Sequence, residues 1–456
     1  MSEIRKTVNF ASVAVLLAIL ALATAPRRAT PDALADLGEP FFPDFEDPNT
    51  AVSLEVIEFD EETAAAQPFK VTSQAGKWSI PSHYDYPADG KERLAQTAAG
   101  IIQLRKDDFR SGSASDQEIC GVVDPLDETA VSLKGRGTRI TIKGENDQVL
   151  ADLIVGKKLD DREAFRFVRL PGQKRIYAAR FDVELSTQFQ DWIEKDLLLV
   201  EKSKVDKLVL KDYSIDERRG RVDMRDTLTL EMKAGKWEAD KIDSDQEVDS
   251  FKVGELLRAL DELSIVGVRP KPRGLSQGLR RIDEEGLRIT VNEQRDLAGK
   301  GYYFSQTGSL LSNEGELQAR TSEGILYTLR FGEILYGQGE AVSAGGESSD
   351  DPEAGPGENR YLFITAEFVS DGADEPSQPA DAQFESKPQD DWTAADRENK
   401  KLQDAYDAWK ESVEEGQKEA DKLTDRFANW YYVIPSSAFD KLHLTRKDLV
   451  KEKASS

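Results

Sequence analysis

Two stretches of this chain align without a gap at a constant offset of 159 residues. The first runs from Phe69-Lys70-Val71 through Ala75-Gly76-Lys77-Trp78 into a helical pattern ending near Phe109. The second runs from Leu228-Thr229-Leu230 through Ala234-Gly235-Lys236-Trp237 into a pattern ending near Val268. Leu94, Ala98, Ile101 and Leu104 fall on Val253, Leu257, Leu260 and Leu263. Gly76 and Gly235 tolerate the positive φ of a tight hairpin turn. Trp78 and Trp237 open the return strands, where a large ring can anchor a hairpin on a sheet face. The helical positions step by four, three and three, which gives one apolar stripe. A strand pair with one helix buries too little surface alone, so each copy must recruit more strands. The expected fold is α+β, with two tandem modules of antiparallel sheet plus covering helix.

The rest of the chain divides around this repeat. Residues 1–7 form a short tail with Arg5 and Lys6, and residues 8–25 carry no charge. That uncharged length is just enough to span a bilayer as an anchor. A cleaved signal peptide is the competing reading, disfavoured by Pro26 just after Ala23-Thr24-Ala25. Arg27 and Arg28 balance Arg5 and Lys6, so local charge does not orient the segment. The large body is placed outside the cytoplasm, because long domains translocate largely regardless of charge. Residues 26–50 hold five prolines and Phe41, Phe42 and Phe45, as in a stalk with aromatic footholds for the first module. Residues 51–200 form module 1, with hairpins expected at 139–155 and 165–179. Residues 201–370 form module 2, with an extra hairpin over Leu287–Val291 and Gly301–Phe304 and an acidic, mobile loop at 337–358. The repeat resumes where Val149–Gly156 matches Ile325–Gly332, and Phe165–Leu170 corresponds to Tyr361–Phe368. An acidic linker at 371–392 leads to Thr393-Ala394-Ala395-Asp396, a capping-box pattern. A long amphipathic helix over 393–434 follows, with a stripe through Leu402, Tyr406, Trp409, Val413, Ala420, Leu423, Phe427 and Trp430. It either folds back on the modules or binds a partner helix. Residues 435–456 are the tail.

The chemistry such a chain can perform is narrow. Its formal net charge of −25 argues against nucleic acid as a partner. Cys120 is the single cysteine, which excludes an intramolecular disulfide, and His83 and His443 are the only histidines. A metal site rich in His or Cys is therefore excluded by count. The Gly-Lys-Trp turns lack the upstream glycine and the following Ser or Thr of a phosphate loop, and no nucleophile elbow or calcium loop occurs. No catalytic, cofactor-binding or metal-binding residue is assigned, and no cofactor is expected.

The Trp hairpin followed by a Leu-rich helix, the turn Gly121-Val122-Val123-Asp124-Pro125 and the segment Ile154-Val155-Gly156 carry a family resemblance. Over roughly residues 50–335 the chain resembles the bacterial family called domain of unknown function 4340, whose Gly-Leu-x-x-Pro turn is similar. Asn359-Arg360-Tyr361-Leu362-Phe363 and the run from Arg426 to Ile434 look like those of longer planctomycete-type members. The resemblance implies a membrane-anchored extracytoplasmic protein without established activity, of a kind that often accompanies gliding-type ABC transport systems. The leading expectation is a non-enzymatic scaffold or accessory subunit of a membrane complex, tethered through residues 8–25 and contacting a partner through the C-terminal helix. An envelope glycan- or peptide-binding module is the alternative, favoured if Tyr302, Tyr303 and Tyr327 share an exposed concave face. An acid-dependent hydrolase is the least supported. Specific function is expected where the copies differ: 287–304, 337–358 and the C-terminal helix.

Overall fold

Backbone sign sets the repeated turn. Ala75 and Gly76 have φ of 50° and 78°, and Ala234 and Gly235 have 48° and 80°. Two successive positive φ values are the type I′ geometry, whose twist matches the flanking strands. The structure is a computed structural model that describes residues 35–61, 63–130, 132–216, 221–284, 286–337, 339–345, 357–370, 375–380 and 386–453, with 14, 15 and 17. The expected anchor at 8–25 therefore lies outside the described residues except at those three positions. Among the described residues no helix is long and apolar enough to cross a membrane.

Ala is a poor occupant of the left-handed region, whereas Asn enters it readily. Ala234→Asn, at an exposed turn position, should stabilise the protein by about 0.5–1 kcal/mol. A lowered or unchanged urea midpoint would show that this turn carries no such cost.

The described residues divide into two compact units, those within 1–68 and 94–185, and those within 69–93 and 186–456. It begins with β1 (Ser53–Asp60) and the hairpin β2 (Ala65–Gln74) and β3 (Lys77–Ile80), whose residues from Phe69 belong to unit 2. Helix α1 (Lys91–Ile102), β4 (Asp108–Ser111), α2 (Asp116–Cys120), β5 (Thr138–Lys143), β6 (Val149–Leu159), β7 (Arg162–Arg169) and β8 (Ile176–Arg180) follow. Unit 1 is an antiparallel sheet in the order β1-β5-β6-β7-β8-β4. Leu94, Ala98 and Ile101 of α1 are buried, as the stripe required. The two expected hairpins are present as β5–β6 and β7–β8. The segment from Ala35 lies on this unit. Phe41 and Phe45 are buried, and Phe41 meets Tyr177 edge-on at 5.5 Å. Asp36 accepts from Tyr177 Oη at 2.6 Å and from Arg175 Nη2 at 3.0 Å.

Unit 2 continues with β9 (Val205–Asp216), β10 (Arg221–Lys233), β11 (Lys236–Ala239), α3 (Ser250–Asp261) and β12 (Gly267–Pro270). Then come α4 (Val291–Gly299), β13 (Tyr302–Phe304), β14 (Leu310–Ser312), β15 (Glu316–Thr321), β16 (Ile325–Tyr336), α5 (Gly339–Ser343) and β17 (Glu358–Phe368). The chain closes with α6 (Ala394–Phe427), β18 (Trp430–Pro435), α7 (Ser436–Leu442) and a last strand, Val450–Glu452, paired with Gln246–Val248. Its main sheet, also antiparallel, has the order β11-β10-β9-β15-β16-β17-β18-β12. From β9 to β12 this is the strand order of unit 1. The offset holds to the residue: β3, α1 and β4 map onto β11, α3 and β12, and Ser73↔Trp78 maps onto Met232↔Trp237.

Three expectations are corrected. The repeat helices end at Ile102 and Asp261, short of Phe109 and Val268. The residues beyond form β4 and β12, captured as edge strands by β8 and β18. Leu287–Val291 is not a strand. Thr290 and Glu293 make a reciprocal capping box that starts α4, and β13 pairs with β14 instead. The C-terminal helix begins at the expected cap, where Thr393 and Asp396 are reciprocally bonded, but ends at Phe427. Trp430-Tyr431-Tyr432-Val433-Ile434 is rich in aromatic and β-branched residues, and β17 offers it an edge to pair with. The tail from 435, which residues alone left as a strand or a frayed end, carries the strand Val450–Glu452, and its Arg446 Nε donates to Asp226 at 2.8 Å. Residues 338 and 346–356 of the expected mobile loop, and 371–374 and 381–385 of the linker, lie outside the described residues.

Candidate functional site

The segment Arg269-Pro270-Lys271-Pro272-Arg273 leaves the sheet edge at the end of β12. The two prolines hold Arg269 and Lys271 extended. In an extended chain, residues 269 and 271 share one side, and Arg273 follows them at the start of a turn. All three line a cleft of 680 Å³ in unit 2, together with Arg288 and Lys300. Two carboxylates, Glu293 and Asp296, face these five cations. The other walls include Tyr84, Pro270, Pro272, Leu287 and Tyr431. Helix α4 positions Asp296 and Lys300, while Glu293 is committed to capping Thr290. The close passage at Gly274, where a Cβ would lie 2.5 Å from Ile289 N, lets the 286–290 segment lie against the basic run.

The cations are held differently. Arg269 is buried and donates from Nη1 to the carbonyls of Val268 at 2.8 Å and Ser343 at 3.1 Å. Lys271 Nζ donates to Ser276 O at 2.9 Å, and burial pulls its ammonium down to about 8. Lys300 bonds Asp296 and lies over the rings of Tyr361 and Tyr431, at 5.8 and 5.7 Å. Burial pushes the Tyr431 hydroxyl up, so it stays a neutral wall. Arg273 and Arg288 are exposed, with Arg288 Nε donating to Asp283 O at 3.1 Å.

His83 shares a partner residue, Ser343, with the cleft residue Arg269. Its Nε2 shares a hydrogen bond of 2.9 Å with Ser343 Oγ, and its Nδ1 one of 3.0 Å with Ser82 Oγ. The ring stacks on Phe189 at 4.6 Å. Burial, helped by the nearby Arg269 charge, lowers its pKa to about 4. A serine hydroxyl beside a neutral imidazole resembles part of a nucleophilic set, but the second nitrogen meets a hydroxyl where a triad places a carboxylate. His443 is also stacked, on Phe439 at 4.6 Å, and burial lowers its pKa. Cys120 is buried, and that burial pushes its thiol up. Glu316 and Asp396, the buried carboxylates among the described residues, are each paired with cations: Lys211 at 2.6 Å for Glu316 and Lys387 at 2.8 Å for Asp396. Among the described residues no group of three metal-ligating side chains occurs.

The exposed tyrosine face that would favour an envelope-ligand module is not formed. Tyr302 belongs to the core with Phe363 and Tyr431, and Tyr327 is buried too. Tyr303 alone stays partly accessible, with its hydroxyl donating to Ala298 O at 3.2 Å. Tyrosine content on a strand carries no information about which side faces the core. The sequence did hold a signal for the cleft in the basic, proline-spaced run 269–273, which motif reasoning passed over. The cleft draws on two of the segments where the copies differ, through 286–300 and Gly345.

Residues 78–278 match the family described as Domain of unknown function (DUF4340). Neither a curated protein nor a solved structure matches the chain.

Proposed function

Since the chain belongs, over residues 78–278, to the DUF4340 family, we propose that it is a non-catalytic, extracytoplasmic accessory subunit of a membrane complex of transport or gliding type, tethered through residues 8–25. The observation that carries this reading is α6. Its buried apolar residues Ala420, Leu423 and Phe427 come from its last third, which packs on β16 and β17. Thr424 Oγ1 fastens that end to Ala366 O at 2.8 Å. The apolar stripe continues beyond it through Leu402, Tyr406, Trp409 and Val413, all half-buried. An apolar seam at three-four spacing is the surface along which a partner helix packs. The stacked histidines and the buried thiol support a non-catalytic role, since these groups serve packing.

A photo-crosslinking residue at position 406, in native membranes, tests this. One recurrent membrane-protein adduct, lost when Trp409 is replaced by Glu, is the expected result. Recovery of the protein only as a free monomer would overturn it. A second reading, a binding module for an envelope ligand, is favoured by the cleft of unit 2.

A further inference from the structure

The cleft concentrates positive charge on a chain whose formal net charge is −25. Its cations arrive from three chain segments, at 269–273, 288 and 300. Tyr84, Pro270, Pro272 and Leu287 line the same cleft, with Tyr84 and Leu287 42% and 38% exposed. We propose that this cleft binds a short acidic peptide segment of a partner protein, its carboxylates meeting Arg273, Arg288 and Lys271 and its apolar side chains resting on the prolines, Leu287 and Tyr84. The proposal rests on the envelope-ligand reading and names its ligand class.

The chemistry separates this ligand from other anions. A long polyanion would lie across the acidic remainder of the protein and be repelled there. A short segment feels mainly the local cations, because charge is screened within about 8 Å at physiological salt. Arginine forks at Arg273 and Arg288 match carboxylates in two-point geometry. Lys271 keeps donor capacity beyond its one bond to Ser276, because an ammonium carries three donors. The volume of 680 Å³ lies in the range of sites that enclose a few residues and not a lone ion.

The test uses the full chain in detergent with two fluorescein-labelled peptides, one of alternating Glu and Leu and the other with every Glu replaced by Gln. The Glu peptide should bind and the Gln peptide should bind at least about tenfold more weakly, since a charged hydrogen bond is worth one to two decades. The double variant Arg273→Glu with Arg288→Glu changes exposed side chains, so its melting temperature should match that of the parent. Its affinity for the Glu peptide should fall roughly tenfold or more, and 0.5 M NaCl should have the same effect on the parent. Equal binding of the two peptides, or binding untouched by the double variant, overturns the proposal. Tighter binding of polyphosphate or of neutral cell-wall glycan fragments at the same cleft also overturns it, yet leaves the envelope-ligand reading standing. Absence of binding by all four probes removes both.

Discussion

Replacing Gly156 with alanine should destabilise unit 1 by about 3 kcal/mol, the upper part of the range for forced overpacking. Gly156 lies inside β6, where the pairing with β7 shifts register between Val155 and Lys158. A Cβ there would sit 2.4 Å from Cys120 O and 2.7 Å from Gly121 O, both backbone atoms at the end of α2. Backbone cannot rotate out of the way as a flexible side chain does, so either the bulge or the turn must move. The counterpart glycine in the repeat, Gly332, does the same work in unit 2. It lies at a register shift between Phe331 and Ile334, and a Cβ would meet Lys300 O at 2.4 Å. Gly332→Ala should therefore destabilise unit 2 to a similar degree. Gly254→Ala is the control. It sits within α3 with nothing within 4 Å of a Cβ, and should stabilise by about 0.5–1 kcal/mol from helix propensity alone. Urea midpoints for the three variants decide the matter. If Gly156→Ala and Gly254→Ala shift the midpoint in the same direction, the close-approach account is wrong.

These glycines also mark what could be read from residues alone. Their recurrence in Val149–Gly156 and Ile325–Gly332 was visible, because local pattern and offset are sequence properties. So were the turn at Gly76, the helix stripe and the cap at Thr393, each of which is decided within a few residues. The reason for Gly156 was not visible, since it depends on a carbonyl 36 positions away at Cys120. The same limit explains β18. Its aromatic run follows the amphipathic α6 directly, so the three-four spacing ran on to Trp430. Only the edge of β17, paired through Asn359↔Pro435 to Leu362↔Tyr432, draws it into the sheet. Helix α6 thus occupies the connection that unit 1 closes with Pro171-Gly172. The basic cleft shows the reverse case. Arg269, Lys271 and Arg273 were adjacent and legible, but their convergence with Arg288 and Lys300 requires the capping turn at Thr290 and the passage at Gly274.

Acid should weaken unit 2 through His83 between pH 6.5 and about 4. The folded imidazole titrates at about 4, while the unfolded chain takes up a proton near the ordinary histidine value of 6.5. Above that window both states are neutral at this position, and stability is full. As pH falls through it, the unfolded state binds a proton that the folded state refuses, so stability is lost. The loss levels off once the folded ring protonates. Its size is about 3 kcal/mol, from 1.4 kcal/mol per unit of difference. The physical cause is burial against Phe189 and Phe69, with the Arg269 guanidinium adding repulsion. Neither Ser82 nor Ser343 can supply a negative charge to hold an imidazolium there. His443, also lowered by burial, adds to the slope in the parent protein. The informative quantity is therefore the difference between parent and His83→Gln. The variant should be less stable at pH 7 by about 1–3 kcal/mol, having lost the ring stack and one of two hydroxyl partners. From pH 6.5 to 4, however, its stability should fall less steeply than the parent's, so that the two curves converge as the pH approaches 4. Parallel curves over that interval would mean that His83 is protonated in the folded protein and that its stacked site tolerates the charge.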